Sequence, residues 1–177
     1  MKLSEKELKD FLDEKYQLYN RPSFIEPDPI SIPRKFRLKE DIEIAAFFAA
    51  TIAWGQRPTI IRNANRLMEL MDNEPYQFIM NSEKKDWKRF ANFAHRTFQY
   101  ADVVYFINAL QNIYRRHGGL EKVFSLKGSL RAEKGKKDIK SGIIHFREIF
   151  LEINPQVRTA KHIANVEKNA SAKRINM

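Results

Sequence analysis

Apolar residues in this chain recur mainly at helical spacing. Ser4 is placed to cap a first helix, with Glu7 three residues later as its capping-box partner, and Leu8, Phe11, Leu12, Lys15 and Tyr19 fall on one face. That helix is predicted to end near Arg21-Pro22. Pro22, Pro27, Pro29 and Pro33 then lie within twelve residues. Each removes a backbone donor and disfavours helix in the residue before it, so 22–36 reads as a loop crossing the surface.

A second helix is predicted from Asp41 or just before it. Its stretch from Ile42 to Trp54 is apolar on nearly every face, as a helix surrounded by others must be. Gly55 stops it, and Pro58 suits the first turn of a third helix carrying Ile61, Ala64, Asn65, Met68 and Met71. The two make a tight helix-turn-helix corner.

Further helices are predicted from Pro75 to Met80, over 84–93, and from Asp102 to Arg116 with Gly118-Gly119 ending the last. A short turn follows over 120–126. The Lys-, Gly- and Ser-rich stretch 127–141 has the composition of a mobile basic loop, and a helix is expected over 142–151. After Pro155 the chain is polar to Asn169, and 170–177 resumes helix-forming residues. No alternating strand pattern of useful length and no internal repeat is present. The pattern predicts an all-α, multi-helix fold, organised as a single helical domain over 1–177.

Composition agrees with a packed core: 43% of the 177 residues are hydrophobic and 12% aromatic. The longest apolar segment contains Glu43 and falls far short of the roughly 20 residues that span a bilayer, so no membrane partner is expected. Without cysteine there is no disulfide and no thiolate zinc site. His95, His117, His145 and His162 are too scattered to suggest a metal, and no cofactor is expected. The charged start lacks the apolar core of a signal peptide, which with the absent cysteine places the chain in the cytoplasm.

The net charge is +10, the sign expected of a chain that meets phosphates, although lysine-rich surfaces also serve solubility alone. Residues 127–177 carry +7 of it. Phe90, Phe93, Phe98, Tyr100, Tyr105 and Phe106 interleave with Lys88, Arg89, His95 and Arg96, a mixture able to stack bases, but core packing accounts for most such rings.

Several separate stretches carry a resemblance. They are Asp41-Ile42-Glu43-Ile44-Ala45-Ala46, Trp54-Gly55-Gln56-Arg57, Arg96-Thr97-Phe98, Leu110-Gln111-Asn112-Ile113-Tyr114, His117-Gly118-Gly119-Leu120-Glu121, and Ser171-Ala172-Lys173-Arg174-Ile175-Asn176-Met177. Together they resemble an uncharacterised bacterial family, common in Bacteroidetes and named only as a domain of unknown function. The resemblance covers essentially the whole chain and implies that members continue past Met177, so that the chain corresponds to about the first two-thirds of one.

More distantly, the family is similar to the helix-hairpin-helix DNA glycosylases, all-helical enzymes that flip a damaged base and cut its glycosidic bond. A buried helix, a sharp corner and an amphipathic helix come in the order seen near the start of that fold. This resemblance implies that Gln56, with Arg57 beside it, enters the gap left by an extruded base, an amide suiting an orphaned base edge. A simple helix corner with a solvated arginine is the competing reading.

By the same resemblance Asn169, Ser171 and Arg174 fall where a hairpin would hold a DNA phosphate, and Lys173 where lyase-type members carry a Schiff-base lysine. The usual glycine-hydrophobic-glycine turn is replaced by Asn169-Ala170-Ser171, of which only Asn169 readily takes positive φ. Arg96, in a loop just before a helix, is a further nucleic-acid candidate or a tie to carbonyls or a carboxylate. The Asp that would support the developing cation lies beyond this chain, so catalysis is expected to be incomplete.

No Gly-rich phosphate loop, His-Glu-x-x-His signature or Gly-x-Ser-x-Gly turn is present. Three functions compete: a DNA-binding, glycosylase-like domain; a helical scaffold binding another protein through exposed apolar surface; and, last, a hydrolase built on Glu40, Asp41 and Glu43, which at a helix start are more simply dipole partners.

Overall fold

The computed structural model describes residues 3–125, 139–153 and 157–176. Helix α1 (Glu5–Tyr19) opens with the capping box: Ser4 Oγ accepts from the Glu7 N–H, and Glu7 accepts from the Ser4 backbone N–H at 2.8 Å. Its apolar stripe meets no core. Leu8, Phe11, Leu12 and Tyr19 are 46–55% exposed and no residue of α1 is buried.

The proline-rich segment is more ordered than a surface crossing. Three short 3₁₀ turns, Pro22–Phe24, Pro29–Ser31 and Pro33–Lys35, each begin with a proline, where the missing N–H costs nothing. Pro29, Ile32 and Pro33 are buried, packing this stretch against the helices that follow.

Helix α2 (Lys39–Thr51) is the centre of the fold. Ile44, Ala45, Phe48 and Ala49 are buried along it, and it touches the proline turns, α3 (Arg57–Glu69) and α4 (Pro75–Asn81). Asp72 and Asn73 take left-handed backbone between α3 and α4. The predicted helix over 84–93 is a 3₁₀ turn, Asp86–Phe90, that seats Trp87 and Phe90 in the core.

A hairpin that alternation did not reveal comes next. Strands β1 (Ala94–His95) and β2 (Phe98–Gln99) pair antiparallel, Ala94 with Gln99 and His95 with Phe98. With two residues each they are too short for a period-2 signal.

Helix α5 (Tyr100–Asn112) runs on through a π turn, Ile113–His117, and stops at Gly118 in left-handed conformation with φ 75°. Helix α6 (Leu120–Phe124) packs on α7 (Ile139–Phe150), where a Cβ on Gly142 would lie 2.5 Å from the Phe124 carbonyl oxygen. Residues 139–141, expected in the basic loop, therefore begin α7; positions 127–138 of that loop, and 126 of the turn before it, lie outside the described residues. Helix α8 (Val157–Ala160) and a 3₁₀ turn, Val166–Lys168, complete the all-α architecture.

Phe47, Phe48, Phe106, Phe146 and Phe150 join α2, α5 and α7 through ring pairs with centroids 4.8–6.3 Å apart. Phe90, Phe93, Phe98 and Phe106 are fully or almost fully buried, so these rings pack the core and are unavailable to stack bases. Among the described residues, no helix is long and apolar enough to cross a membrane, and no cluster of side chains is arranged to hold a metal ion.

Candidate nucleic-acid interface

The corner between α2 and α3 is built by backbone first. After Thr51 the chain closes with Ala53 N–H donating to Ala50 and Trp54 N–H to Ile52, and then turns at Gly55 with φ 111°, a conformation L side chains rarely adopt. Gln56 is the N-cap of α3: its carbonyl accepts from the Ile60 N–H at 3.0 Å, while its exposed side chain caps nothing. Arg57 and Pro58 are the first helical residues.

This helix start lacks the usual electrostatic balance. No acidic residue occupies the first turn of α3, no side chain caps it, and an exposed arginine stands at the positive end of the helix dipole. Arg57 leans on the ring of Phe24, 5.3 Å from its centroid.

Two further guanidinium groups reach the same corner from distant segments. Arg96, at the tip of the β1–β2 hairpin, has φ 54°, and its Nη1 lies 3.1 Å from where a Cβ of Gly55 would stand. Arg174 lies over the Trp54 ring at 4.9 Å and donates to the Thr51 carbonyl at 2.8 Å. Burial lowers the pKa of Arg174. Among the described residues, neither Arg57, Arg96 nor Arg174 is paired with a carboxylate.

The corner rests on a neutral histidine. His95 is buried, with Nε2 3.1 Å from the Trp54 carbonyl and Nδ1 2.8 Å from Asn63 Nδ2. The carbonyl can only accept, so Nε2 carries the proton and Nδ1 accepts from the Asn63 amide. Burial lowers the pKa of His95 and keeps it in that form.

His162 also packs on Trp54, stacked at 6.1 Å and likewise buried. Its Nε2 is 3.6 Å from Asp102 Oδ2, beyond hydrogen-bond reach, and burial outweighs the pull of that carboxylate, lowering the histidine pKa. The contact is therefore not an ion pair at neutral pH.

Asp102 finds its cation elsewhere. This fully buried carboxylate accepts from Arg158 Nη2 at 2.9 Å, Thr159 Oγ1 at 2.9 Å and the Gln99 N–H at 2.9 Å. Arg158 also donates to the Thr97 carbonyl and to Gln99 Oε1, so one guanidinium clamps the hairpin that presents Arg96.

The remaining sequence candidates are arranged differently. Asn169, with φ 58°, closes the Val166–Lys168 turn as a left-handed cap: its N–H bonds to the Val166 carbonyl, and that of Ala170 to the Asn165 carbonyl. Asn169 thus has a structural task of its own. Ser171 and Lys173 are exposed, and the surroundings of Lys173 do not supply the burial that a Schiff-base amine needs. A single helical turn follows, with the Ile175 and Asn176 N–H groups both bonded to Ala172, and it is Arg174 that fastens this turn to the corner. Arg96 and Arg174 thus meet the corner that carries Gln56 and Arg57, at Gly55 and at Thr51 and Trp54 respectively, with contacts that do not extend to Asn169, Ser171 or Lys173.

Trp54, His95, Asp102, Arg158 and His162 carry no local sequence signal that marks them as site residues. The two histidines are 67 positions apart, and only the fold brings both to one indole. Gln99 and Asp102 carried a faint signal, a capping box written with unusual residues.

The family model described as "Protein of unknown function (DUF2400)" matches residues 28–177, and the chain belongs to that family. No curated protein matches the chain, and no solved structure does.

Proposed function

We propose that the chain is a DNA-binding domain that grips the phosphate backbone at the Trp54–Arg57 corner and presents Gln56 to the duplex, as a base-excision glycosylase does. The observation that carries this reading is that Arg57, Arg96 and Arg174 meet the Thr51–Arg57 corner from three separate segments, without carboxylate partners among the described residues, beside an amide whose side chain does no capping. An arginine in the first turn of an uncapped helix opposes the helix dipole. A polyanion relieves that opposition, and a strained backbone at Arg96 fits a position held for function.

Base-excision chemistry belongs to the same proposal but needs groups beyond those gathered here. Lys173 would be the nucleophile, and it would act only once a further segment or the DNA itself desolvated its amine. The present chain is read as the binding part of such a reaction, located in the cytoplasm.

Duplex binding measured across a salt series tests the reading. Three phosphate contacts predict that the logarithm of affinity falls against the logarithm of salt with a slope of about −3. Arg57→Ala and Arg96→Ala should each lower the magnitude of that slope by about one. A slope near zero, or slopes unchanged in both variants, would overturn it.

A further inference from the structure

Helix α1 offers an apolar stripe that the described residues leave uncovered. Leu8, Phe11, Leu12 and Tyr19 line one face over about 16 Å of helix, all close to half exposed or more. Lys15 lies within the stripe, its ammonium 5.1 Å from the Phe11 ring centroid. The helix carries five carboxylates against three lysines, opposite in sign to the chain as a whole. It precedes the residues 28–177 that match the family.

A groove of complementary character runs along the outer face of α3. Pro27, Pro58 and Ile61 form its apolar floor, and Arg57, Arg62 and Arg66 line it, with Glu69 at the far end. Pro58 and Glu69 are eleven residues apart, so the groove is also about 16 Å long. Arg62 and Arg66 are exposed and make no ion pair among the described residues. Lys35 adds a cation at its edge, donating to Asn65.

Self-pairing of α1 suits this stripe poorly. Glu7 and Glu14 flank one edge of it, and an antiparallel pair would set those carboxylates against their own copies. Folding back within the chain is also opposed. The Arg21 side chain bonds to the Leu18 carbonyl, Tyr19 packs edge-on against Phe24 at 5.5 Å, and Phe24 is held by Arg57, so the exit of α1 is fixed by contacts that a fold-back of the helix onto the groove would have to break. A second copy needs none of these contacts broken.

We propose that α1 of one copy docks in the α3 groove of a second copy, and the reverse, giving a closed two-fold dimer with acidic helices in basic grooves. Each groove receives the leucine and aromatic stripe on its floor while Arg62 and Arg66 meet the carboxylates of the incoming helix. The exchange fills both uncovered faces at once, as an isologous interface requires. It needs no nucleic acid, and its groove includes Arg57, which the DNA reading also uses.

Sedimentation equilibrium of the full chain without DNA tests it, using three species: wild type, Leu8→Glu/Leu12→Glu, and Arg62→Glu/Arg66→Glu. All four positions are outside the core, so each variant should keep the wild-type circular dichroism and melting temperature. The wild type is expected to be dimeric at micromolar concentration and each variant monomeric, with dissociation constants raised at least about 100-fold, roughly tenfold per leucine removed from an apolar contact. Mixing the two variants is decisive, since a mixed dimer keeps one intact helix-in-groove contact and should re-form. A monomeric wild type, a dimer that survives Arg62→Glu/Arg66→Glu, or no association on mixing would each overturn the exchange, the first in favour of an unpartnered α1 and the second in favour of another interface.

Discussion

Arg174 and Thr51 are 123 residues apart in sequence and joined by a 2.8 Å hydrogen bond from the guanidinium Nη1 to the backbone carbonyl. The same guanidinium lies over Trp54, so a single side chain ties the last described turn to the end of the central helix. A charged hydrogen bond contributes about 1.5–3 kcal/mol and a half-buried cation–π contact about 1 kcal/mol. Arg174→Ala should therefore destabilise the fold by about 2.5–4 kcal/mol, seen as a melting temperature lowered by roughly 5–16 °C in calorimetry.

The Asp102 network should be the most sensitive polar element. Removing the carboxylate leaves Arg158 without its buried partner and frees the hairpin clamp at Thr97 and Gln99. Asp102→Ala is expected to cost about 3–5 kcal/mol in equilibrium urea unfolding. Arg158→Ala should approach the same cost and also weaken DNA binding, because the clamp fixes the hairpin that carries Arg96.

Stability should fall on acidification. His95 and His162 both have folded pKa values held below the ordinary 6.5 by burial, so the unfolded chain binds protons that the folded chain refuses. Their contribution is fully present above pH 6.5 and is lost as pH falls through that value toward the folded pKa values. Within this window the slope is at most about 1.4 kcal/mol per pH unit for each histidine. A stability profile from pH 8 to pH 5, compared for wild type and His162→Phe, checks it. The variant should show the shallower fall.

Gly55 is required for two reasons, its φ of 111° and the nearness of Arg96. Gly55→Ala should cost more than about 1 kcal/mol and displace the Arg96 side chain, so duplex affinity should drop further than stability alone explains. Thermal melting beside binding titration separates the two effects.

Much of this architecture is legible from local signals. Ser4 and Glu7 announce α1, the apolar run from Ile42 announces α2, and Gly55 with Pro58 announces the corner, because each signal acts within a few residues. The alternation test failed at Ala94–Gln99, where a hairpin of two-residue strands is set by a turn at Arg96 and not by a pattern. The site was half visible. Gln56, Arg57, Arg96 and Arg174 stand in recognisable stretches, but the convergence of Arg96 and Arg174 on the corner depends on contacts that span 41 residues from Gly55 to Arg96 and 123 from Thr51 to Arg174. His162 beside Trp54 is of the same long-range kind.

Whether the Gln56 side chain meets DNA and does not serve the helix is decided by fluorescence anisotropy on paired duplexes with and without an abasic site at low salt. Because its side chain makes no capping bond, Gln56→Ala should leave the melting temperature within about 1 °C of wild type. Wild type should prefer the abasic duplex, and Gln56→Ala should lose about tenfold of that preference, the value of a hydrogen-bonded amide in the gap, while binding intact duplex as before. An unchanged preference in Gln56→Ala, or no binding of either duplex by wild type, would contradict that role of Gln56.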